Sequence, residues 1–196
     1  MKTNLIKNGL LVILGMLVMG FTSATEPVVR ISGDKKIVIK LASVSENTEL
    51  TVKDLSGFTF YTEIIEKSDV PFTKRFDLST LPDGNYEFVI DMPLKVISFQ
   101  FPIVSDRIPM DCVAGVETYK PVFLAKDKKV YVSKYNPEFA PLDITIFDNE
   151  NNVLLTESLK GESDLLRVYD FSKAKGEFTI AMESNNEIYT QLLSIK

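Results

Sequence analysis

Gly84-Asn85-Tyr86-Glu87-Phe88-Val89-Ile90-Asp91-Met92, followed by Pro93-Leu94 and then Lys95-Val96-Ile97-Ser98-Phe99-Gln100-Phe101-Pro102-Ile103, decides the fold. Tyr86, Phe88, Ile90 and Met92 fall on alternate positions, as do Ile97, Phe99, Phe101 and Ile103. A period of two puts one set of side chains on a single face of an extended strand, and the Met92 to Lys95 segment reads as the turn that reverses the chain. The stretch predicts an antiparallel β-hairpin with one buried face. Outward from it, Ile37, Ile39 and Leu41 follow the same rule, as do Leu50 and Val52, and Asp54-Leu55-Ser56-Gly57 is a second hairpin connection.

The same parts occur twice. KKIVIK (35–40) returns as KKVYVS (128–133), LTVKD (50–54) as ITIFD (144–148), RFDLS (75–79) as VYDFS (168–172), and GNYEFVI (84–90) as GEFTIAM (176–182). A tandem duplication of about 75-residue units predicts two structural copies, each with its own apolar strands to bury. About seven short strands per copy, separated by turn residues, predict two all-β antiparallel sandwiches in tandem. The inward face of the second copy should carry Val130, Val132, Leu142, Ile144, Ile146, Phe178, Ile180, Met182, Tyr189, Leu193 and Ile195. Gln191 stands where the first copy has Phe99, so that position is either less buried or on a slipped strand.

The first 24 residues have the layout of a secretory signal peptide: Lys2 and Lys7, an apolar run from Leu10 to Phe21, then Thr22-Ser23-Ala24 for cleavage. The run is shorter than the roughly 20 residues a membrane span needs. The expected division is a signal peptide over 1–24, a first module over 25–104, a linker over 105–120 and a second module over 121–196. Localisation should be exported: periplasmic, at the cell surface or extracellular, with no stable membrane insertion after cleavage.

The chain has 22 basic and 27 acidic residues, a net charge of −5, and loss of the first 24 residues leaves 20 basic against 27 acidic, −7. A mildly acidic, interspersed balance argues against nucleic acid, which demands clustered Lys and Arg. There is no histidine, which excludes Ser-His-Asp, Cys-His and histidine-zinc chemistry. Carboxylate pairs and Ser-Lys pairs remain chemically available without a diagnostic spacing. The expectation is a protein that is not an enzyme and takes no cofactor, with no catalytic or metal site. Cys112 is the single cysteine, so no disulfide forms within the chain, and it reads as an inert thiol or a link to a second chain.

The sharpest repeated element is Asp77-Leu78-Ser79 and Asp170-Phe171-Ser172, each followed by a glycine, Gly84 or Gly176, and then an aromatic, Tyr86 or Phe178. It reads as a structural turn motif: Asp and Ser bond nearby backbone N–H groups, Gly supplies positive φ, and the aromatic opens a core strand. Asp148-Asn149-Glu150-Asn151-Asn152 crowds oxygens that calcium favours, but its counterpart Asp54-Leu55-Ser56-Gly57 lacks them, so a polar turn explains it. Lys35-Lys36 and Lys128-Lys129, at equivalent strand starts, read as guards against edge pairing.

Tyr86 resembles the tyrosine corner of immunoglobulin-like sandwiches. Phe76-Asp77-Leu78-Ser79-Thr80-Leu81, then Gly84-Asn85-Tyr86 and a closing alternating strand, is similar to the C-terminal sorting module of proteins exported by the type IX system of Bacteroidetes. The resemblance implies immunoglobulin-like modules, a bacterial origin and a role in export as sorting or adaptor protein. Sheet edges and end loops offer routes to a protein or cell-surface partner, so the first expectation is an exported binding or structural module of the cell envelope. A carboxylate-based hydrolase is the distant alternative.

Overall fold

The computed structural model describes residues 27–44, 46, 48–109 and 115–196; the segment expected to be a signal peptide and Cys112 lie outside them. The described chain is all β. The first copy holds β1 (Val28–Gly33), β2 (Lys36–Leu41), β3 (Thr48–Asp54), β4 (Thr59–Ile65), β5 (Phe72–Asp77), β6 (Gly84–Asp91) and β7 (Lys95–Ile103). After β8 (Gly115–Tyr119), the second holds β9 (Val122–Lys126), β10 (Lys129–Tyr135), β11 (Leu142–Asp148), β12 (Val153–Leu159), β13 (Asp164–Asp170), β14 (Gly176–Ser184) and β15 (Glu187–Ile195).

All pairing is antiparallel, and each copy makes two sheets in equivalent order: β1-β2-β5 against β4-β3-β6-β7, and β9-β10-β13 against β12-β11-β14-β15. Facing sheets of this kind bury alternate residues, which is an immunoglobulin-like β-sandwich. Tyr86, Phe88 and Ile90 lie at 3% exposure or less, and their core joins Ile37, Ile39, Leu50, Val52, Phe99 and Phe101. A separate core gathers Val130, Val132, Leu142, Ile144, Phe178, Ile180 and Met182.

The β14–β15 register runs without a slip, pairing Phe178 with Leu193, Ile180 with Gln191 and Met182 with Tyr189. Gln191 therefore occupies the place of Phe99 on an unshifted strand and is simply exposed.

The segment expected as a linker over 105–120 is more structured than that. Ser105 and Asp106 both adopt positive φ in a tight reversal closed by Val104 and Arg107, and Ile108 is buried in the first core. Gly115–Tyr119 then forms β8 along the free edge of β7, pairing Phe99 with Gly115 and Lys95 with Tyr119, and making that sheet five-stranded. A side chain at 115 would meet Phe99 Cε1 at 2.8 Å, so the strand approaches closely only because residue 115 is glycine.

Candidate interaction surfaces

The repeated Asp-x-Ser elements are turns. In the first, Asp77 Oδ1 accepts the Ser79 N–H at 3.1 Å; in the second, Asp170 Oδ1 accepts the Ser172 N–H at 2.8 Å. Hydrogen bonds from Ser79 hold the Asp77 carboxyl below its ordinary range, and the Ser172 backbone does the same for Asp170. The Tyr86 hydroxyl donates to Pro82 O at 2.8 Å, the reach of a tyrosine corner, while Phe178 packs on Phe171 with ring centroids 5.1 Å apart. The two glycines differ. Gly176 has φ +113°, whereas Gly84 is not left-handed, so positive φ is needed only in the second copy; a Cβ at Gly84 would rest against the Tyr86 ring at ordinary contact distance.

The oxygen-rich loop after β11 is closed on itself. Asp148 Oδ1 accepts the N–H groups of Glu150 and Asn152 at 2.8 and 2.9 Å, and Oδ2 accepts the Asn152 amide at 2.9 Å. The Asn152 amide is the main cause holding that carboxyl below the usual range. Asp54 caps the equivalent hairpin through Ser56 and Phe58, with Gly57 at φ +92° where the second copy places Asn151 at +62°. Among the described residues no group of three or more Cys, Asp or Glu is placed to hold a metal.

The lysines expected to guard strand starts behave differently. Lys35 is 6% exposed, donates to Leu81 O at 2.7 Å and Ser79 O at 3.3 Å, and pairs with Asp106. It ties the crossover between the sheets to the turn after β7 and guards no edge. Lys128, at φ +57°, completes the tight turn between β9 and β10.

One serine and one lysine do meet. Lys134 and Ser184, both about 95% buried, are joined by a hydrogen bond from the ammonium to Ser184 Oγ, which itself donates to Pro141 O at 2.7 Å. Burial lowers the Lys134 pKa. A nucleophilic serine needs access and a base that accepts its proton, and here the hydroxyl proton is directed at a carbonyl in the interior. Leu41 and Met92 stand at these places in the first copy, so the pair is a polar replacement of an apolar contact. Sequence spacing did not reveal it, because the partners are 50 residues apart.

Sheet edges separate into closed and open ones. Where β4 and β5 border the same opening, Glu63 bridges to Lys74 and accepts the Tyr61 hydroxyl at 2.5 Å. In the second copy Glu157 takes Arg167 through two nitrogens and the Tyr169 hydroxyl at 3.1 Å, with the tyrosine now on the other strand. Both openings carry a charged latch. The edge of β7 is covered by β8, held further by the Lys95–Glu117 pair at 2.6 Å and the Lys120–Asp91 pair. At this junction the Tyr119 and Tyr135 rings meet edge-on at 4.7 Å, joining the two copies.

The equivalent edge of β15 has no strand on it among the described residues. It is nine residues long, contains neither Lys nor Pro, and exposes Ile188 (67%) and Leu192 (75%). Unpaired N–H and C=O groups along such a strand are a template for another chain; Glu187 is its one charged residue, and Glu187 and Tyr189 at its start border a cleft shared with Asp91, Val96 and Thr118, so the open length is the part that follows. Alternation in Glu187 to Ile195 marked this strand in the sequence. Its openness could not be read there, because it depends on where β8 lies.

No family model matches the sequence, and no curated protein matches it by sequence. Among solved structures, the chain is similar to a two-domain fibronectin type III segment of chicken tenascin, at 9% identity and TM-score 0.30, covering 88% of this chain and 99% of that one. It is similar to the BSP domain of a biofilm associated protein, at 18% identity and TM-score 0.28, covering 87% of this chain and 29% of the other. An uncultured Clostridium sp. beta-glucuronidase matches at 14% identity and TM-score 0.27, covering 83% of this chain and 32% of the enzyme. This chain thus spans about a third of the length of the latter two. The class of the molecule, a tandem of two immunoglobulin-like β-sandwiches, stands on its own strand order and cores.

Proposed function

We propose that this chain is an exported, non-enzymatic binding module of the bacterial cell envelope that takes up an extended segment of a partner protein as an added strand along β15. The observation that carries the reading is the contrast between equivalent strands: β7 is covered by β8, whereas among the described residues no strand lies along β15, which exposes Ile188 and Leu192. In strand addition, backbone hydrogen bonds supply affinity and alternate side chains supply selectivity. β8 on β7 demonstrates that this scaffold accepts a five-residue antiparallel strand at that edge. Export rests on the layout of residues 1–24, and residence in the envelope is part of the proposal.

Placing lysines on the edge, Ile188→Lys with Leu192→Lys, installs the guard that natural edge strands use. Both side chains are exposed, so the sandwich should keep its melting temperature. Envelope proteins captured by the wild-type chain should be absent from a pull-down with the double variant. Equal capture by the two would sink the β15 reading.

A further inference from the structure

The outer face of the second three-stranded sheet is a second place where the copies have diverged. In β9-β10-β13, register sets Leu124, Tyr131 and Val168 in one row and Val122, Ser133 and Leu166 in the next, all on the side away from the core. Leu124, Val168, Val122 and Leu166 are 57%, 45%, 42% and 64% exposed. At the same places β1-β2-β5 carries Arg30, Val38 and Arg75, then Val28, Lys40 and Thr73, a solvated cationic face. One copy keeps the charges that solubilise a sheet face; the other replaces them with contiguous apolar side chains rimmed by charge.

We infer that this face docks against the same face of a second copy of the chain, related by a two-fold axis parallel to the strands. Such an axis keeps each row level and reverses strand order, so β9 of one copy lies over β13 of the other and β10 over β10. A closed dimer of this kind requires a self-complementary patch. The rows meet that requirement: Leu124 falls over Val168, Val122 over Leu166, and Tyr131 over its own equivalent. In the bordering row, Lys126-Lys129-Asp170, Lys126 of each copy falls over Asp170 of the other, giving two opposite-charge pairs, while the two Lys129 side chains meet at the axis, each beside its own Asp170. Asp170 Oδ1 accepts the Ser172 N–H, and Lys129 and Lys173 of the same chain lie close enough to favour its ionised form. Facing sheets pack about 10 Å apart with a modest twist, which keeps the central row in contact and lets the long Lys126 side chain reach across. Three short strands make a small patch, so association should be weak and concentration-dependent. The β15 edge belongs to the other sheet and stays open in the dimer.

Sedimentation of the full chain purified from exporting cells tests the arrangement. The wild type should move from monomer to dimer with rising concentration. Leu124→Lys and Val168→Glu, each placing an unpaired charge in the centre of the interface, should each weaken association by roughly tenfold or more. Because residues 124 and 168 face each other only across the axis, mixing the two variants should recover a dimer of one copy of each. A wild type that stays monomeric at every concentration, single variants that associate as the wild type does, or a mixture no better than its components would each overturn the inference.

Discussion

Phe88 is 1% exposed and packs edge-on against Phe76 with ring centroids 5.2 Å apart. Phe88→Ala should cost about 3 to 5 kcal/mol in urea or thermal unfolding, as for other buried aromatics. Tyr86→Phe removes only the bond to Pro82 and should cost about 1 kcal/mol, because the second copy already uses Phe178 at that place. Ser184→Ala leaves the buried Lys134 ammonium without its partner, so it should destabilise by about 1 to 3 kcal/mol. Introducing the residues of the first copy, Lys134→Leu with Ser184→Met, should recover most of that loss. Burial lowers the Lys134 pKa in the fold, so this group costs stability while it is charged and the cost fades as pH rises from the folded pKa towards the ordinary lysine value near 10. Wild-type stability should therefore rise relative to the Lys134→Leu, Ser184→Met variant over that alkaline window, and a pH-independent difference would remove Lys134 as its source. The core residues were legible because alternation is a local signal. The Lys134–Ser184 pair and the burial of Lys35 were not, since each depends on carbonyls or side chains that only the folded topology brings close.

Hairpins and edges are the elements that distinguish one copy from the other. Asp54 and Asp148 each cap a hairpin with backbone N–H groups, and both carboxyls are held below their ordinary range, by the Ser56 and Asn152 side chains first. A carboxyl with a depressed folded pKa contributes stability at and above its unfolded value near 4 and loses it as pH falls through the folded value. Asp148→Ala should thus lower the melting temperature at neutral pH, and the gap from wild type should close in acid. An unchanged gap at low pH would detach the cap from the ionised carboxylate. The central strands could be placed from the sequence because each has an inward face to show, as in β2, β3, β6 and β7. β8 could not: Val116-Glu117-Thr118-Tyr119 buries little, and backbone pairing with β7 rather than a hydrophobic stripe makes it a strand. For the same reason the segment between the copies, read as a linker, is partly the first sandwich's edge cover. Glycine function was legible in type but not in place, since Gly176 needs positive φ and Gly84 does not.

Across the whole molecule, duplication supplied two equal scaffolds, and their differences carry the functional account. The first copy has a covered edge at β7 and a cationic outer face; the second has an open edge at β15 and an apolar outer face. The lack of histidine removed histidine-based chemistry from the possible functions, but the location of the proposed working surface required knowing which edge β8 occupies. Hydrogen exchange of individual amides in the full chain measures that difference directly, because an edge strand leaves every second N–H unpaired while a covered strand leaves none. Protection should be continuous in β7 from Val96 to Phe99 and should alternate along β15 from Ile188 to Ser194. Continuous protection along β15, or alternating protection in β7, would contradict the open edge on which the proposed binding depends.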